Sequence, residues 1–276
     1  YMTDFHNAGG MLALLHTLRP LLHLSAMTIG GQTLGEVLDA TPFKPFPYST
    51  SIIRPLSDPL SPSSSLVVLY GNLAPHGSVM KASASKDRAL LSHSGPAVVF
   101  RDAADLAQRI DSPDLDVTPS SVLVLQNIGP LGYPGMPEAG LIPIPRKLSS
   151  KGVVDMLRIS DGRMSGTAGG TIILHVTPES ALPESVLGVV QDGDQITCDA
   201  EQRVLRLDVE DAVIEERLRK RRELLLGSQG APPQASVLSE RPTKRGYRGL
   251  YERTVNQAHE GADFDFLTAS GPKPPS

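Results

Sequence analysis

The chain has 276 residues, 40% of them hydrophobic and 20% charged, so it can bury a sizeable core and is not expected to be disordered. A net charge of −4, 4% aromatic residues and no Trp exclude a broadly basic nucleic-acid binder and argue against a base-stacking platform. The single cysteine, Cys198, excludes an internal disulfide, and because no apolar run reaches the roughly 18 residues of a membrane span, we expect a soluble chain.

The first 40 residues show the apolar spacing of helices. Asp4 can cap a segment that runs through 11–18 and ends before Pro20, and a second helix is expected to begin near Thr33. Six prolines among serines in 41–65 indicate an extended linker and a domain boundary. Since the chain opens without an initiator Met, we expect it to be part of a longer polypeptide.

From residue 65 onward, short apolar runs between turns predict mostly strands. The predicted strands are 66–70, 97–100, 121–125, 171–176, 194–198 and 204–209, with the last two forming a hairpin. Helices are expected at 102–110, 145–152, 211–226 and 247–260, and the polar stretch 227–245 is expected to be a loop. The charge run within 211–226 is typical of a solvated helix face.

Three stretches rich in glycine and polar residues follow apolar runs, and loops at strand ends commonly carry sites. The first, 71–81, fits a ligand loop that uses Lys81, but an ordinary structural turn explains it better. The second, 127–138, ends on Glu138, whose carboxylate could bind Mg²⁺ or begin a helix.

The third stretch, 158–170, combines small residues, hydroxyls and an arginine, which suits an anionic group. A serine here could be a nucleophile or, if deprotonated beside a metal, a base. Asp161 and Arg163 could instead simply pair with each other. The seven histidines show no metal-ligand spacing, so each is interpreted as a packed or surface residue.

Taken in order, these motifs resemble one family. They are Asp4-Phe5-His6 with Ala8-Gly9-Gly10, Gly71-Asn72-Leu73-Ala74-Pro75, Gly135-Met136-Pro137-Glu138, Ser160-Asp161-Gly162-Arg163-Met164-Ser165-Gly166 and Asp192-Gly193-Asp194. This series resembles the carboxy-terminal half of the dihydroxy-acid/6-phosphogluconate dehydratase family, over about 1–267. The ending 261–267 is similar to the branch that dehydrates aldonates such as arabonate or xylonate.

The resemblance implies a hydro-lyase that converts a 2,3-dihydroxy carboxylate into a 2-keto-3-deoxy acid through an enol. In the family an iron–sulfur cluster, 2Fe-2S or 4Fe-4S, acts on the leaving 3-hydroxyl, and Mg²⁺ holds the carboxylate and 2-hydroxyl. The carried-over roles are alkoxide base for Ser165, Mg²⁺ ligand for Glu138, and substrate binding for Thr167 and Arg163. The cluster cysteines and a modified lysine belong to the family's amino-terminal domain, so this chain alone is expected to be inactive.

The implied fold is α+β. A remnant of an α/β domain with a linker is expected at 1–62, a mixed β-barrel domain with flanking helices at 63–246, and a helix and tail at 247–276. A small-molecule sugar acid or dihydroxy acid is the expected partner, with a homo-oligomer and without nucleic acid or membrane. The expected location is cytoplasmic, with the mitochondrion left open because a targeting signal would lie upstream of Tyr1.

Three positions depart from the family pattern. Ser25 and His76 stand where aspartate is usual, and Gln126 stands where arginine is common. Each departure removes a charge near the expected site. A standalone, degenerate relative that acts as a structural or regulatory partner is therefore the alternative.

Overall fold

The structure, a computed structural model, describes residues 1–42, 51–60, 65–226 and 245–267. It divides into two compact units, Tyr1–Ser64 and Ser65–Ser276. The domain limits predicted at 62/63 and 246/247 stay predictions. Apart from residue 245, the loop predicted at 227–245 lies outside the described residues, as do parts of the predicted linker.

In its described residues, the first unit contains three short helices, α1 (Met2–Asn7), α2 (Gly10–Leu18) and α3 (Leu34–Ala40), with a 3₁₀ turn at Arg19–Leu21. The capping role predicted for Asp4 is wrong, since Asp4 lies inside α1 and a left-handed Gly9 (φ 105°) separates α1 from α2. The start near Thr33 is confirmed. Thr33 Oγ1 accepts a hydrogen bond from Glu36 N, and the Glu36 carboxylate accepts one from Thr33 N, which together form a capping box.

The second unit is built on eight strands that close into a mixed barrel, in the order β1-β2-β6-β5-β4-β3-β7-β8. The strands are β1 (Leu66–Gly71), β2 (Ala74–Lys81), β3 (Ser92–Phe100), β4 (Val122–Leu125), β5 (Arg158–Ser160), β6 (Ile172–Thr177), β7 (Gln195–Asp199) and β8 (Val204–Leu207). Strands β3 to β6 pair in parallel, and a parallel contact between β1 and β8 closes the circle. The predicted mixed β-barrel is thus confirmed.

Helices flank the barrel near the predicted positions, but the helix predicted at 247–260 ends at Thr254. The flanking helices are α4 (Ala103–Arg109), α5 (Arg146–Ser149), α6 (Asp211–Leu226) and α7 (Gly246–Thr254). One apolar cluster fills the barrel, and a second packs β3 and β4 against α4 and α5. Strand β4 contributes alternate residues to both clusters, which is why 122–125 is a continuous apolar run. Within the described residues, no helix has the length and apolar character to cross a bilayer.

The parallel strands determine where the site lies. Phe100 of β3 is in register with Leu125 of β4, and Leu125 is in register with Ser160 of β5. Parallel strands that end in register bring the loops that follow them to the same end of the sheet. The second and third glycine-rich stretches therefore leave the barrel side by side.

Candidate active site

The loop after β4 presents Glu138. This loop turns sharply at Gly135 and Met136, which have φ values of 89° and 44°. No helix begins at Glu138, since the next helix is α5 at Arg146, so the helix-initiating interpretation is wrong. The Glu138 side chain is half exposed and is available as a ligand.

The loop after β5 presents two hydroxyls. Ser165 is half-buried and Thr167 is exposed, and their Oγ and Oγ1 atoms lie 3.0 Å apart. The backbone N–H of Thr167 also points at Ser165 Oγ, at 3.5 Å. When the Thr167 hydroxyl donates, both dipoles favour negative charge on the Ser165 oxygen. This arrangement suits a serine that must lose its proton.

Arg163 connects these two loops. Its Nε donates to the carbonyl of Met136 at 2.6 Å, and its Nη1 lies 3.8 Å from Glu138 Oε1. The backbone adds a further link, because Gly140 N donates to the carbonyl of Arg163 at 2.7 Å. The structure therefore brings Glu138 and Arg163 together and anchors the Ser165 loop beside them.

The predicted pairing of Asp161 with Arg163 is wrong. Asp161 is fully buried and accepts hydrogen bonds from the backbone of Ile128 at 3.1 Å and of Ser180 at 2.8 Å. Burial raises the pKa of Asp161 above its usual range. Asp161 thus fixes the starts of both loops from inside the protein and does not face the site.

A buried ion pair supports the other end of the Ser165 loop. Arg158 Nη2 donates to Asp155 Oδ1 at 2.7 Å, with the two side chains 5% and 0% exposed. Asp155 also accepts from the Thr171 N–H and hydroxyl, and Arg158 donates to the carbonyl of Ile142. The pair therefore contacts the loop after β4 and the residue that ends the loop after β5. Neither residue carries a local sequence signal that predicts this buried pair.

Glu179 is a second buried carboxylate that no sequence motif predicts. It is 1% exposed and follows β6, where it accepts hydrogen bonds from the backbone of Leu131 and Gly132. Burial, and next the negative charge of Asp161, raise the pKa of Glu179 to about 7. Nothing in the local sequence distinguishes Glu179 from a surface glutamate, because its burial depends on a loop 47 residues away.

The raised pKa of Glu179 predicts a pH-dependent stability. Between pH 4.5 and about 7 the unfolded chain loses the Glu179 proton and the folded chain keeps it, so the contribution of Glu179 to the free energy of unfolding falls as pH rises. We expect Glu179→Gln to remove about 3 kcal/mol of this pH dependence. Urea unfolding followed by circular dichroism at pH 5 and pH 8 measures it. Equal pH dependence in the variant and the unchanged protein would contradict the raised pKa.

A cavity of about 340 Å³ lies beside the Arg163 bridge. Its polar lining consists of Arg163, His175 and Tyr251, and its remaining wall is Gly135, Met136, Ala258, Gly261 and Ala262. Burial lowers the pKa of His175, and the nearby positive charge of Arg163 lowers it further, so this imidazole is neutral at pH 7. Next to the loops after β4 and β5, the cavity therefore has one cationic hydrogen-bond donor, Arg163, and the neutral donors His175 and Tyr251.

The first glycine-rich stretch, 71–81, forms a hairpin, which supports its structural interpretation. Asn72 exchanges hydrogen bonds with the backbone of Leu207 in β8, at 2.9 and 2.8 Å. A Cβ at Gly71 (φ 153°) would lie 1.9 Å from the Leu205 carbonyl oxygen, so only glycine fits there. This stretch therefore closes the barrel.

The three residues that depart from the family pattern are each packed or exposed as ordinary structural residues are. Gln126 is buried, and its Nε2 donates to the carbonyl of Leu187 at 2.7 Å. The His76 ring stacks on His259, with centroids 4.8 Å apart. Ser25 is exposed in the first unit. The buried Gln126 is thus a satisfied neutral residue.

The chain is similar to a known family and to several known proteins. The family model described as dihydroxy-acid/6-phosphogluconate dehydratase C-terminal matches residues 51–262. The 6-deoxy-6-sulfo-D-gluconate dehydratase of Pseudomonas putida is 43% identical over 99% of this chain and 45% of its own length. The L-arabonate dehydratase of Azospirillum brasilense is 42% identical over 98% and 44%, and the L-arabinonate dehydratase of Rhizobium leguminosarum is 40% identical over 96% and 43%. The chain spans less than half the length of these relatives.

Proposed function

Because the chain belongs to the dihydroxy-acid/6-phosphogluconate dehydratase family, we propose that it supplies the base-bearing part of a hydro-lyase active site. The observation that carries the proposal is the Arg163 bridge, which holds the Glu138 loop against the loop of Ser165 and Thr167. The chain matches less than half of its relatives, so the proposal requires further site residues like those in the relatives' other half.

The proposed substrate is an aldonic sugar acid, and the product is its 2-keto-3-deoxy acid. The names of relatives at 40–43% identity, which act on arabonate and on a sulfonated gluconate, support this class over other dihydroxy acids. The cavity beside Arg163 also supports it, because its polar lining suits a hydroxylated chain. We also propose that the protein is a homo-oligomer in the cytoplasm.

In the proposed reaction, the Ser165 alkoxide takes the proton from C2 of the acid. The C3–O bond breaks as the 3-hydroxyl takes a proton from solvent and leaves as water. The enol then tautomerises to the 2-keto acid, and Ser165 returns its proton to solvent. The Thr167 hydroxyl and N–H stabilise the Ser165 oxygen while it carries negative charge. Arg163 lies only loosely against Glu138, so its guanidinium keeps donors for the substrate.

Glu138 fits the role of one Mg²⁺ ligand, because its exposed carboxylate has a loose ion pair and Mg²⁺ prefers such oxygens. Bound Mg²⁺ would polarise the 2-hydroxyl and carboxylate and so acidify the C2 proton. In the part of the chain that the structure describes, no three His, Cys, Asp or Glu side chains form a metal-binding group. Glu138 is therefore the one Mg²⁺ ligand that we assign.

The residues of this chain do not fit an iron–sulfur cluster. Cys198 is fully buried in β7, and burial raises the pKa of its thiol to about 12. A cluster ligand must be a thiolate that can reach the iron. No step is therefore assigned to a cluster here.

A non-catalytic partner role is the second candidate. Gln126 favours it, because a satisfied neutral residue is buried where the family commonly has arginine. In that role the barrel would bind an intact subunit without contributing to turnover.

A chimera separates the two roles. We expect the 276 residues, joined to the amino-terminal half of the A. brasilense L-arabonate dehydratase, to dehydrate L-arabonate within about 100-fold of that enzyme's rate, since small misplacements at a new junction cost this much. The 2-keto acid product is measured. The control is the amino-terminal half alone. A folded chimera that keeps cluster absorbance without turnover would reject the catalytic role and support the partner role.

A further inference from the structure

We propose that Glu179 is a positioning residue that fastens residues 255–264, the carboxy-terminal segment, to the Glu138 loop. This segment thereby becomes a wall of the active site, in addition to the loops after β4 and β5. The catalytic part of this inference rests on the proposed function. The structural part does not, and it can be tested separately.

One side of Glu179 holds the loop after β4. Its Oε2 accepts hydrogen bonds from Leu131 N and Gly132 N, both at 2.9 Å. The approach is close, because a Cβ at Gly129 would lie 2.7 Å from the same oxygen. Glu179 therefore fixes the turn that precedes Glu138 by six to seven residues.

The other side of Glu179 holds Gln257 in a reciprocal pair. Gln257 Nε2 donates to Glu179 Oε1 at 2.7 Å, and the backbone N–H of Glu179 donates to Gln257 Oε1 at 3.0 Å. Because the amide uses both its oxygen and its nitrogen, its orientation is fixed. The two residues are 78 positions apart, so the pair joins distant parts of the chain.

The carboxy-terminal segment is compact enough to move as a unit with Gln257. Val255 bridges Phe264, Asn256 N donates to the carbonyl of Asp263 at 2.8 Å, and Ala262 N donates to the carbonyl of Gln257 at 3.1 Å. Residues 258, 261 and 262 of this segment line the 340 Å³ cavity together with Arg163 and His175. The position of Gln257 therefore determines the shape of that cavity.

Glu179 acts through other residues and does not touch the reacting atoms. It is 1% exposed, and its hydrogen bonds go to Leu131, Gly132 and Gln257. A general base must reach the proton that it removes. We therefore assign Glu179 a positioning role.

Amide hydrogen exchange on the full 276-residue chain tests the link. We expect Gln257→Ala to raise exchange about 10-fold or more in peptides covering 129–136 and 255–264, because local opening becomes easier. The double swap Glu179→Gln with Gln257→Glu should restore protection, since the amide at 179 can donate to a carboxylate at 257. The matched control is Gln202→Ala on the barrel surface. Unchanged exchange, or a rise that includes the β7–β8 hairpin, would overturn the link.

Steady-state kinetics of the chimera test the catalytic part. We expect Gln257→Ala to raise both KM for L-arabonate and the half-saturating Mg²⁺ concentration about 10-fold, with kcat changed less, and the double swap to reverse this. The positioning role would be rejected if kcat fell while KM and the half-saturating Mg²⁺ concentration stayed the same, or if none of the three changed. If the chimera with the unchanged sequence is inactive, the proposed function fails, and hydrogen exchange still decides the structural link.

Discussion

Ser165→Ala is expected to lower kcat of the chimera about 10³-fold or more, because the general base would be gone and such bases contribute 10² to 10⁴. The Ser165 oxygen has two donors from Thr167 that can hold it as an anion, and no alanine atom can replace it. KM for L-arabonate should change little, since Ser165 is assigned to proton removal and not to binding. Initial rates of 2-keto acid formation measure both constants.

Two controls separate loss of the base from loss of structure. Thr167→Ser keeps a hydroxyl beside Ser165 Oγ, so turnover should stay within about 10-fold of the unchanged chimera. The circular dichroism spectrum and the thermal unfolding of the Ser165→Ala variant should match those of the parent chimera. Substantial turnover by Ser165→Ala would remove Ser165 from the base role.

Asp155→Ala is expected to destabilise the chain by about 3–5 kcal/mol, because it leaves the Arg158 guanidinium buried without its partner. The change also removes the acceptor of two Thr171 donors and of the Lys86 N–H. Burial alone would raise the pKa of Asp155, but these hydrogen bonds and Arg158 outweigh it and lower that pKa. Urea unfolding at pH 7, followed by circular dichroism, gives the free energy.

Two further variants serve as comparisons for Asp155→Ala: a milder substitution at the same residue and a substitution in a more exposed ion pair. Asp155→Asn retains one acceptor oxygen, so it should cost about 2 kcal/mol and remain folded. Arg206→Ala breaks the more exposed ion pair with Asp208, and it should cost less than about 1 kcal/mol. Similar losses for Asp155→Ala and Arg206→Ala would show that the buried pair is not a main support of the loops.

Much of the barrel could be predicted from apolar runs. Residues 122–125 are buried on both faces, so the run is continuous and the strand is evident. Two strands were missed for physical reasons. Strand β2 contains Pro75 and Gly77, which are typical of turns, and β5 has three residues inside a glycine-rich stretch. Strand β2 pairs with its neighbour β1 and with the distant β6, and β5 pairs with β4 and β6, so these pairings determine their strand conformation.

The proposed site residues belong to recognisable motifs, whereas the residues that support them do not. Glu138, Arg163 and Ser165 stand in distinctive local sequences, and the structure places Glu138 and Arg163 in contact. Asp155 and Glu179 have no local signal, because their hydrogen-bond partners lie up to 78 residues away. Sequence patterns report local chemistry, and these two carboxylates depend on tertiary burial.

The closure of the barrel has a consequence for how the chain is made. Asn72 and Leu207, which join β1 to β8, are 135 positions apart, and Tyr70 meets Val204 at the same seam. A ribosome must release almost the whole barrel sequence before this seam can form. Until then the edge of β1 that will meet β8 stays unpaired and can join to other nascent chains, and contacts of such long range form slowly. During synthesis, the barrel is therefore most exposed to aggregation before β8 has emerged and paired with β1.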